Sequence, residues 1–500
     1  MTATFAARWV DAVSARPGAP FLIWEDPGGT VTRWTYADFD LLVDRVAGGL
    51  IARGVTAGSR VCLALRNSPA FAALWLACAK LGAAMVACDP SSSAPELASH
   101  MRRTGVALGV CAAERAPVFH AAAREAGVPV VEVSEADVDL TPLHGRLAVW
   151  SELPPPEAPL GLMFTSGTTS APKCVVVTQA NYAFAGDVMA AASALRPDDR
   201  QLVVLPMFHA NAQYYSFAPA IAVGASVALM HTFSASRFLT QAARHGATHA
   251  SLFAAPMRMI LARGNTPVPG LKLVHCWYAQ NIQQAQYDEM AALLGCRPRQ
   301  LYGMTETVPA VLTNRAVAPV PNAMGQPTLG CSVAVVDEDT GDPVRPGQVG
   351  EILVGGVPGE TLFAGYLDDP ETTAASFRGR WFVTGDRATV DADGHVYFAG
   401  RGGDVLKVGG ENVSIVEIET VLAAHPGVFE AAVVGEADAV KDEVPVAYVV
   451  ARAGVVLDKL DLGEWCAERL AKSKRPVRFE VVEALPRTSV GKVRKFLLKK

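Results

Sequence analysis

Hydrophobic residues in the first part of the chain change repeatedly between helical and strand-like spacing. Residues 36–54 and 69–82 have apolar residues at helical spacing, and a glycine ends each segment. Short apolar runs between helical segments predict buried strands at 60–65, 83–90, 201–206, 225–230 and 249–255. Such alternation is typical of a parallel sheet covered by helices. Residues 1 to about 320 are therefore predicted to form doubly wound α/β structure.

The pattern changes after about residue 330, where short apolar runs are separated by glycines and Asp-Gly turns. This texture predicts a β subdomain at about 325–400. Residues 400–404, GRGGD, form a glycine-rich joint, after which strand-like and helical segments follow one another to the end of the chain. The predicted fold class is α/β. A large N-terminal domain at 1–400 combines doubly wound sheets with the β subdomain, and 401–500 form a small mobile α+β domain.

Composition limits the class of ligand and the compartment. Half of the 500 residues are apolar and the net charge is −5, which argues against a nucleic-acid partner and favours a small-molecule substrate. The nine cysteines are scattered without zinc spacing or a CxxC pair, so we expect a reducing cytoplasm. We predict neither a signal peptide nor a membrane span, and expect a monomer or homodimer.

The segment FTSGTTSAPKC at 164–174 concentrates hydroxyl groups, a glycine and a lysine at the end of an apolar run. Backbone N–H groups, hydroxyls and one cation can converge there on a polyanion. The spacing differs from the Walker A motif, which argues against a P-loop kinase. A plain surface loop is the alternative interpretation.

Four further segments combine aromatic, hydroxyl and charged residues: LYGMTET at 301–307, WFVTGD at 381–386, GRGGDVLKVGGENVS at 400–414 and LPRTSVGKVRK at 485–495. In this order and at these separations, the five segments resemble those of the acyl-adenylate-forming superfamily. That superfamily includes acyl-CoA synthetases, luciferases and the adenylation domains of peptide synthetases. The resemblance covers nearly the whole chain. PMFHANAQ and GGENVSIVEIE are further matches, most similar to bacterial acyl-CoA ligases for small or aryl acids.

The resemblance implies two half-reactions. A carboxylate attacks the α-phosphate of ATP to give an acyl-adenylate and pyrophosphate, and a thiol, usually that of coenzyme A, then displaces AMP. The small domain is expected to rotate between the two, about the joint at 400–404. ATP, Mg²⁺ and coenzyme A are therefore the expected cofactors.

The resemblance also assigns nucleotide-binding residues. The β- and γ-phosphates are expected to contact Thr165, Ser166, Gly167, Thr168, Thr169 and Lys173. Tyr302 is expected to stack on adenine, Thr305 to contact the α-phosphate and Glu306 to hold Mg²⁺. Asp386 is expected to bind the ribose hydroxyls with support from Arg401, for which a structural salt bridge is the alternative.

Further residues are implied for catalysis and for the mobile domain. Lys492 is expected to bridge the attacking carboxylate and the α-phosphate, although most charges of the basic tail are simply solvated. Asp404 is the expected hinge, and Lys407 is expected to enter the site in the second half-reaction. His209 occupies the position of a gate beside the acyl and thiol channels, with a core histidine as the alternative.

The substrate pocket is expected to include His209, Trp277, Tyr278, Ala279 and Gly303. Most of the superfamily has Gly-Gly-Ala-Pro where this chain has WYAQ, so two bulky rings should fill space along the substrate. We therefore expect a small or a flat aromatic acid. Relatives that activate α-amino acids have an aspartate near the position of His209, and its absence disfavours such a substrate.

Three alternatives to an acyl-CoA ligase stay open at this point. A very small pocket would suit nitrite, activated by ATP to diazotise an aryl amine. The adenylate could instead be passed to a carrier protein. A non-catalytic nucleotide-binding protein is the third alternative, and Glu306, Asp386 and Lys492 argue against it.

Overall fold

The computed structural model describes residues 3–165, 172–315, 317–401, 405–408, 411–438, 442–487 and 493–498, without the side chains of residues 405, 407, 411, 412, 442 and 496. Its strands are β1 (Pro20–Glu25), β2 (Val31–Thr35), β3 (Arg60–Ala64), β4 (Ala84–Ala87), β5 (Leu108–Ala112), β6 (Val130–Val133), β7 (Pro159–Thr165), β8 (Lys173–Thr178), β9 (Arg200–Val203), β10 (Ser226–Met230), β11 (His249–Phe253), β12 (His275–Ala279), β13 (Arg299–Tyr302), β14 (Leu312–Thr313), β15 (Ala323–Pro327), β16 (Ser332–Val336), β17 (Val349–Gly355), β18 (Gly365–Tyr366), β19 (Phe377–Arg378), β20 (Trp381–Val390), β21 (Val396–Arg401), β22 (Val405–Val408), β23 (Glu411–Ser414), β24 (Val428–Asp438), β25 (Asp442–Ala451) and β26 (Arg478–Val481).

The helices are α1 (Phe5–Ala15), α2 (Tyr36–Ile51), α3 (Pro69–Leu81), α4 (Ala94–Thr104), α5 (Ala116–Ala126), α6 (Gln179–Ser193), α7 (Ala210–Ala212), α8 (Ala218–Val223), α9 (Phe238–Arg244), α10 (Ala254–Ala262), α11 (Gln284–Leu294), α12 (Pro370–Ala375), α13 (Ile415–Ala423) and α14 (Lys459–Arg469). Residues Gln213–Phe217 continue α7 as a π-helical turn. No helix in the described part of the chain is both long enough and apolar enough to cross a membrane.

The first sheet has seven strands in the order β18-β8-β7-β4-β3-β5-β6. Its central strands are parallel, and α3 returns the chain from β3 to β4. Local signals define α3 well: the Ser68 side chain accepts a hydrogen bond from the Phe71 backbone, Pro69 occupies the first turn, and Gly82 ends the helix at a φ of 75°. Because α3 is buried nearly all round, it packs between layers instead of lying on the surface.

The second sheet begins as parallel α/β structure and ends as antiparallel β structure. Strands β9 to β13 are parallel where they pair, and β14, β15, β21, β20, β17 and β16 extend the same sheet by antiparallel pairing. The β-rich part of the chain is therefore continuous with the second sheet, which places Asp386 and Arg401 on strands joined to the one that ends at Tyr302.

A third sheet, of five strands, lies in the C-terminal part and includes β22 to β26. It has its own apolar core, built from α13, α14 and the strand faces and including Ile418, Val433 and Cys466. The predicted α/β fold with a small α+β C-terminal part is confirmed. The boundary at 400/401 stays a prediction, since residues 402–404 lie outside the described residues.

Candidate active site

Three predicted nucleotide-binding residues meet at the junction of β13, β20 and β21. The Tyr302 hydroxyl donates a hydrogen bond of 2.7 Å to Oδ2 of Asp386, and Arg401 Nε donates one of 2.6 Å to Oδ1. Asp386 is 2% exposed and pairs with Arg401 in the β20–β21 register. Burial and the carboxylate raise the pKa of Tyr302 well above its ordinary value, so the phenol remains a donor.

This arrangement leaves Asp386 able to bind more hydroxyl groups. Each carboxylate oxygen has two acceptor positions, and each uses one of them on Tyr302 or Arg401. The second position on each oxygen suits two neighbouring hydroxyl donors, as a ribose ring would provide. Arg401 forms the salt bridge that was its alternative interpretation, and this bridge also orients the carboxylate.

Glu306 is the most unusual charged group of the site. It follows β13 in a short helical turn and is 4% exposed, yet its Oε2 has no hydrogen-bond partner among the described residues. Oε1 accepts a hydrogen bond of 3.2 Å from the Tyr366 hydroxyl. Burial raises the pKa of Glu306, and the Tyr366 hydroxyl and the charges of Lys173 and Arg401 partly offset this effect.

The two ends of the hydroxyl-rich segment 164–174 lie on paired strands of the first sheet, near Glu306. Thr165 ends β7 and pairs with Lys173, the first residue of β8. The ammonium group of Lys173 lies 4.7 Å from the centre of the Tyr366 ring, and Tyr366 pairs with β8 through β18. Both sheets therefore contribute to one site: the first supplies Lys173 and Tyr366, and the second supplies Glu306. The Lys173 ammonium group and the Glu306 carboxylate both contact Tyr366.

The segment 210–217 covers the strand ends of the second sheet. The Tyr214 hydroxyl donates to the backbone oxygen of Thr305 at 3.4 Å. A side chain at Gly303 would meet the backbone of Pro309 and Ala310 at less than 3.0 Å and the Tyr215 hydroxyl at 3.0 Å. A glycine is required there because these neighbours leave no room for a Cβ atom.

His209 lies half-buried immediately before α7. Its backbone N–H donates to the Pro206 oxygen at 3.2 Å, and its ring lies 4.4 Å from that of Phe208. The preceding loop is held by Asn67, which accepts from Met207 N at 2.8 Å and donates to the Leu205 oxygen at 3.0 Å. The His209 loop is thus tied to the first sheet by one buried amide.

Trp277 and Tyr278 point to opposite faces of β12, as neighbours in a strand must. Trp277 and Ala279 pack in the core shared with Tyr302, whereas Tyr278 packs in the core on the other face, with Tyr287. The structure therefore brings Trp277 and Ala279, and not Tyr278, to the face that carries the other site residues.

Several predicted residues lie outside the described residues, and no geometry is assigned to them. They are Ser166, Gly167, Thr168, Thr169, Asp404 and Lys492, and the side chain of Lys407 belongs with them. Their roles stay predictions.

Comparison with known proteins decides the family. The family model for AMP-binding enzymes matches residues 9–367, and the model for the C-terminal domain of AMP-binding enzymes matches residues 417–492. The chain belongs to the AMP-binding enzyme family. Crotonobetaine/carnitine–CoA ligase of Salmonella heidelberg (strain SL476) is 31% identical, with 98% of each chain covered.

Solved structures agree with this assignment to the AMP-binding enzymes. ATP-bound MatB from Rhodopseudomonas palustris matches with a TM-score of 0.91 and 27% identity, over 100% of this chain and 98% of that chain. o-Succinylbenzoate CoA synthetase (MenE) from Bacillus subtilis, bound to the acyl-adenylate OSB-AMP, matches with a TM-score of 0.86 and 27% identity, over 99% of this chain and 98% of that chain.

The predicted superfamily and the predicted AMP-forming, acyl-CoA synthetase-like ligase are confirmed. Because the relatives compared above include CoA ligases, they favour this function over nitrite activation, carrier loading or a non-catalytic role.

Tyr366 and Tyr214 are contact residues of this AMP-binding enzyme that sequence reasoning did not single out. Tyr366 lies in the two-residue strand β18, and its hydroxyl reaches Glu306 across 60 positions of the chain. No local motif surrounds it. Tyr214 could have been proposed, because it follows the PMFHANAQ match directly.

Proposed function

We propose that this AMP-binding enzyme activates a small or aromatic carboxylic acid as its acyl-adenylate and transfers the acyl group to coenzyme A. The carboxylate oxygen bonds to the α-phosphorus of ATP while the bond to the β-phosphate oxygen breaks, releasing pyrophosphate. The thiol sulfur then bonds to the acyl carbon, and AMP leaves with the carboxylate oxygen. The observation that carries the proposal is the buried carboxylate of Glu306, whose Oε2 has no hydrogen-bond partner among the described residues and which lies near the charges of Lys173 and Arg401.

Mg²⁺ fits the Glu306 position. A carboxylate that is 4% exposed and has one oxygen without a partner among the described residues suits a hard cation, which prefers carboxylate and phosphate oxygens together. We propose Glu306 as the residue that would hold this ion, and Mg²⁺ would there neutralise phosphate charge during pyrophosphate release. Tyr366 orients the carboxylate through its hydroxyl.

The remaining residues bind and orient the substrates in this proposal. Asp386, held by Tyr302 and Arg401, binds the ribose hydroxyls, and the Tyr302 ring supports adenine. Thr165 and Lys173 contact the outer phosphates at the hairpin end, together with Ser166, Gly167, Thr168 and Thr169. Thr305 contacts the α-phosphate. Lys492 neutralises the charge that develops at the α-phosphate, and Lys407 enters after rotation about Asp404.

The acid is limited in size by Trp277. Its indole is 1% exposed and fills the face of β12 on which Ala279 also lies. His209 and Gly303 complete the proposed pocket. Tyr278 lies on the opposite face of β12 and affects the pocket only by positioning that strand. Short-chain or flat aryl acids should therefore be better substrates than palmitate, and a preference for palmitate would refute this limit.

Pyrophosphate release tests the proposed function. The enzyme is assayed with ATP and Mg²⁺ against short, branched and aryl acids and nitrite, each with and without coenzyme A and an aryl amine. Release with an organic acid, followed by a CoA thioester, is the expected result. Release with nitrite that requires the amine and does not depend on coenzyme A would overturn the proposal, as would release with an organic acid that never gives a CoA thioester.

A further inference from the structure

A cluster of buried polar side chains lies on the same face of the second sheet as Trp277. The parallel register sets Ser251 of β11 beside Trp277 of β12, and Trp277 beside Arg299 of β13. His275 is two residues before Trp277 and therefore points to the same face. We call Ser251, His275, Trp277 and Arg299 the donor cluster. Each of the four is at most 8% exposed.

Three members of the donor cluster each have one side-chain atom without a hydrogen-bond partner in the described part of the chain. The atoms concerned are Ser251 Oγ, His275 Nε2 and Trp277 Nε1. Arg299 Nη1 lies 3.3 Å from Nδ1 of His275. A guanidinium group can only donate, so Nδ1 accepts and the hydrogen of a neutral imidazole is on Nε2. All three unpartnered atoms can therefore donate a hydrogen bond, and two of them can only donate.

The cluster also carries a positive charge that no described carboxylate neutralises within 4.0 Å. Arg299 donates to the backbone oxygens of Ala192 and Asn314 at 2.8–3.0 Å, and its guanidinium lies 4.6 Å from the centre of the Trp277 indole ring. Burial lowers the pKa of Arg299 to about 10, so the side chain remains a cation at neutral pH. The carboxylate of Asp199 faces a neighbouring residue, His249, at 4.0 Å.

One buried cation and three unpartnered donors are complementary to an anion with several acceptor oxygens. The cluster lies below Ala279 at the end of β12, and Trp277 is separated from Ala279 by about 6.6 Å of strand rise. That distance matches a short substrate that has its reacting carboxyl group at the strand ends. Water alone would satisfy the donors but would leave the charge of Arg299 uncompensated.

We propose that Ser251, His275, Trp277 and Arg299 form a subsite for a second carboxylate group, and that the enzyme activates short dicarboxylic acids. This inference rests on the proposed function, since it names the class of acid for that same site. Trp277 then both limits the length of the acid and donates to its far end.

Matched acid pairs test the inference with the full-length enzyme. Pyrophosphate release is measured for malonate, succinate, glutarate, adipate and terephthalate. The partners are acids in which a methyl group replaces one carboxyl group: propionate, butyrate, pentanoate, hexanoate and p-toluate. The best diacid is expected to exceed its methyl partner in kcat/KM by about tenfold or more, as for hydrogen bonds to a charged group.

Two variants each remove one unpartnered donor; Ser251→Ala keeps the packing nearly unchanged, and Trp277→Phe keeps an aromatic ring at the position but leaves a small cavity. Trp277→Phe removes the indole N–H, and Ser251→Ala removes the hydroxyl; neither atom has a partner to lose in the described structure, so both proteins should fold. Ser251→Ala should raise KM for the preferred diacid about tenfold and change KM for the methyl partner less than about twofold. Trp277→Phe also changes the pocket wall for both acids, so its readout is the ratio of kcat/KM between the diacid and its methyl partner, which should fall about tenfold. Trp24→Phe is the control, because Trp24 Nε1 is also buried and has no partner among the described residues, but lies on β1.

The outcomes separate the two proposals. A methyl partner that equals its diacid, or variants that slow both acids equally, would overturn the subsite and leave the acyl-CoA ligase intact. Release with none of the organic acids would overturn the proposed function, and this inference with it.

Discussion

Replacing Glu306 by glutamine should strongly reduce activity and stabilise the protein at the same time. The carboxylate is buried and Oε2 has no partner among the described residues, so its desolvation is poorly compensated. An uncharged amide retains an oxygen for the Tyr366 hydroxyl. The amide NH2 then takes the unpartnered position of Oε2, so the gain is only the extra cost of burying a charged over a neutral unsatisfied group, about 1–3 kcal/mol. With an unfolding entropy of about 2.1 cal/mol/K per residue over about 400 residues, this stabilisation raises Tm by about 1–4 °C.

The stabilisation of the Glu306→Gln variant relative to wild type should increase with pH. Burial raises the pKa of Glu306 above its ordinary value of 4.5, so the folded wild type holds this proton more tightly than the unfolded chain. The stability that this proton gives the folded wild type is fully present below the ordinary pKa and is lost as pH rises through the folded-state pKa. The glutamine variant has no such loss. Its advantage in Tm should therefore be largest near about pH 8 and disappear near about pH 4.

Melting curves across this pH range measure the change in stability. Exchange of labelled pyrophosphate into ATP in the presence of the carboxylic acid substrate measures the change in activity. Exchange should fall about 10²–10³-fold, because the group that offsets phosphate charge is lost. Glu135→Gln is the matched control. Burial would raise the Glu135 pKa, but the nearby His231 ring at 3.7 Å and hydrogen bonds from the Arg66 backbone N–H and the Arg115 guanidinium outweigh it and the pKa is lowered, so this variant should melt lower. A Glu306→Gln protein that melts below wild type at about pH 8, or that keeps full exchange, would refute the reasoning.

Three further variants test other parts of the site. Asp386→Asn should raise KM for ATP about 10–150-fold, because it weakens charge-assisted hydrogen bonds. Asp393→Asn, at an exposed aspartate, should leave KM for ATP unchanged. Steady-state kinetics at a saturating concentration of the carboxylic acid substrate test both variants. Lys492→Ala should lose about 10²–10³-fold in pyrophosphate release yet still convert supplied acyl-AMP to the thioester in a single turnover, and equal losses in both steps would contradict its assigned role. Trp277→Ala should raise kcat/KM for octanoate relative to butyrate, whereas Tyr278→Ala should not, because it opens the opposite face of β12; equal shifts would contradict the assignment.

The alternation of helices and strands was predictable because each local signal agrees with the final fold. Helix α3 illustrates this, with Ser68, Pro69 and Gly82 marking its ends. The separation of Trp277 from Tyr278 was also within reach of the sequence, since successive strand residues face opposite sides. The motif match by itself places both rings in the pocket, whereas the alternation of strand residues separates them.

Contacts between segments that are distant in the chain could not be predicted from local sequence patterns. The pairing of Tyr366 with β8 depends on which strand forms the edge of the first sheet, and nothing near residue 366 encodes this. The unpartnered atoms of Ser251 and His275 likewise follow from the register of β11 and β12. Sequence spacing identifies residues that act within one motif, whereas a site built from two sheets requires the sheet topology.

The central claim is that the acid oxygen becomes bonded to the α-phosphorus of ATP. A single-turnover reaction with the acid labelled by heavy oxygen in its reacting carboxyl group, followed by mass spectrometry of the products, tests this directly. Adenylate formation predicts one labelled oxygen in AMP after thioester formation and none in pyrophosphate. Label in inorganic phosphate together with ADP, or AMP without label, would contradict adenylate formation.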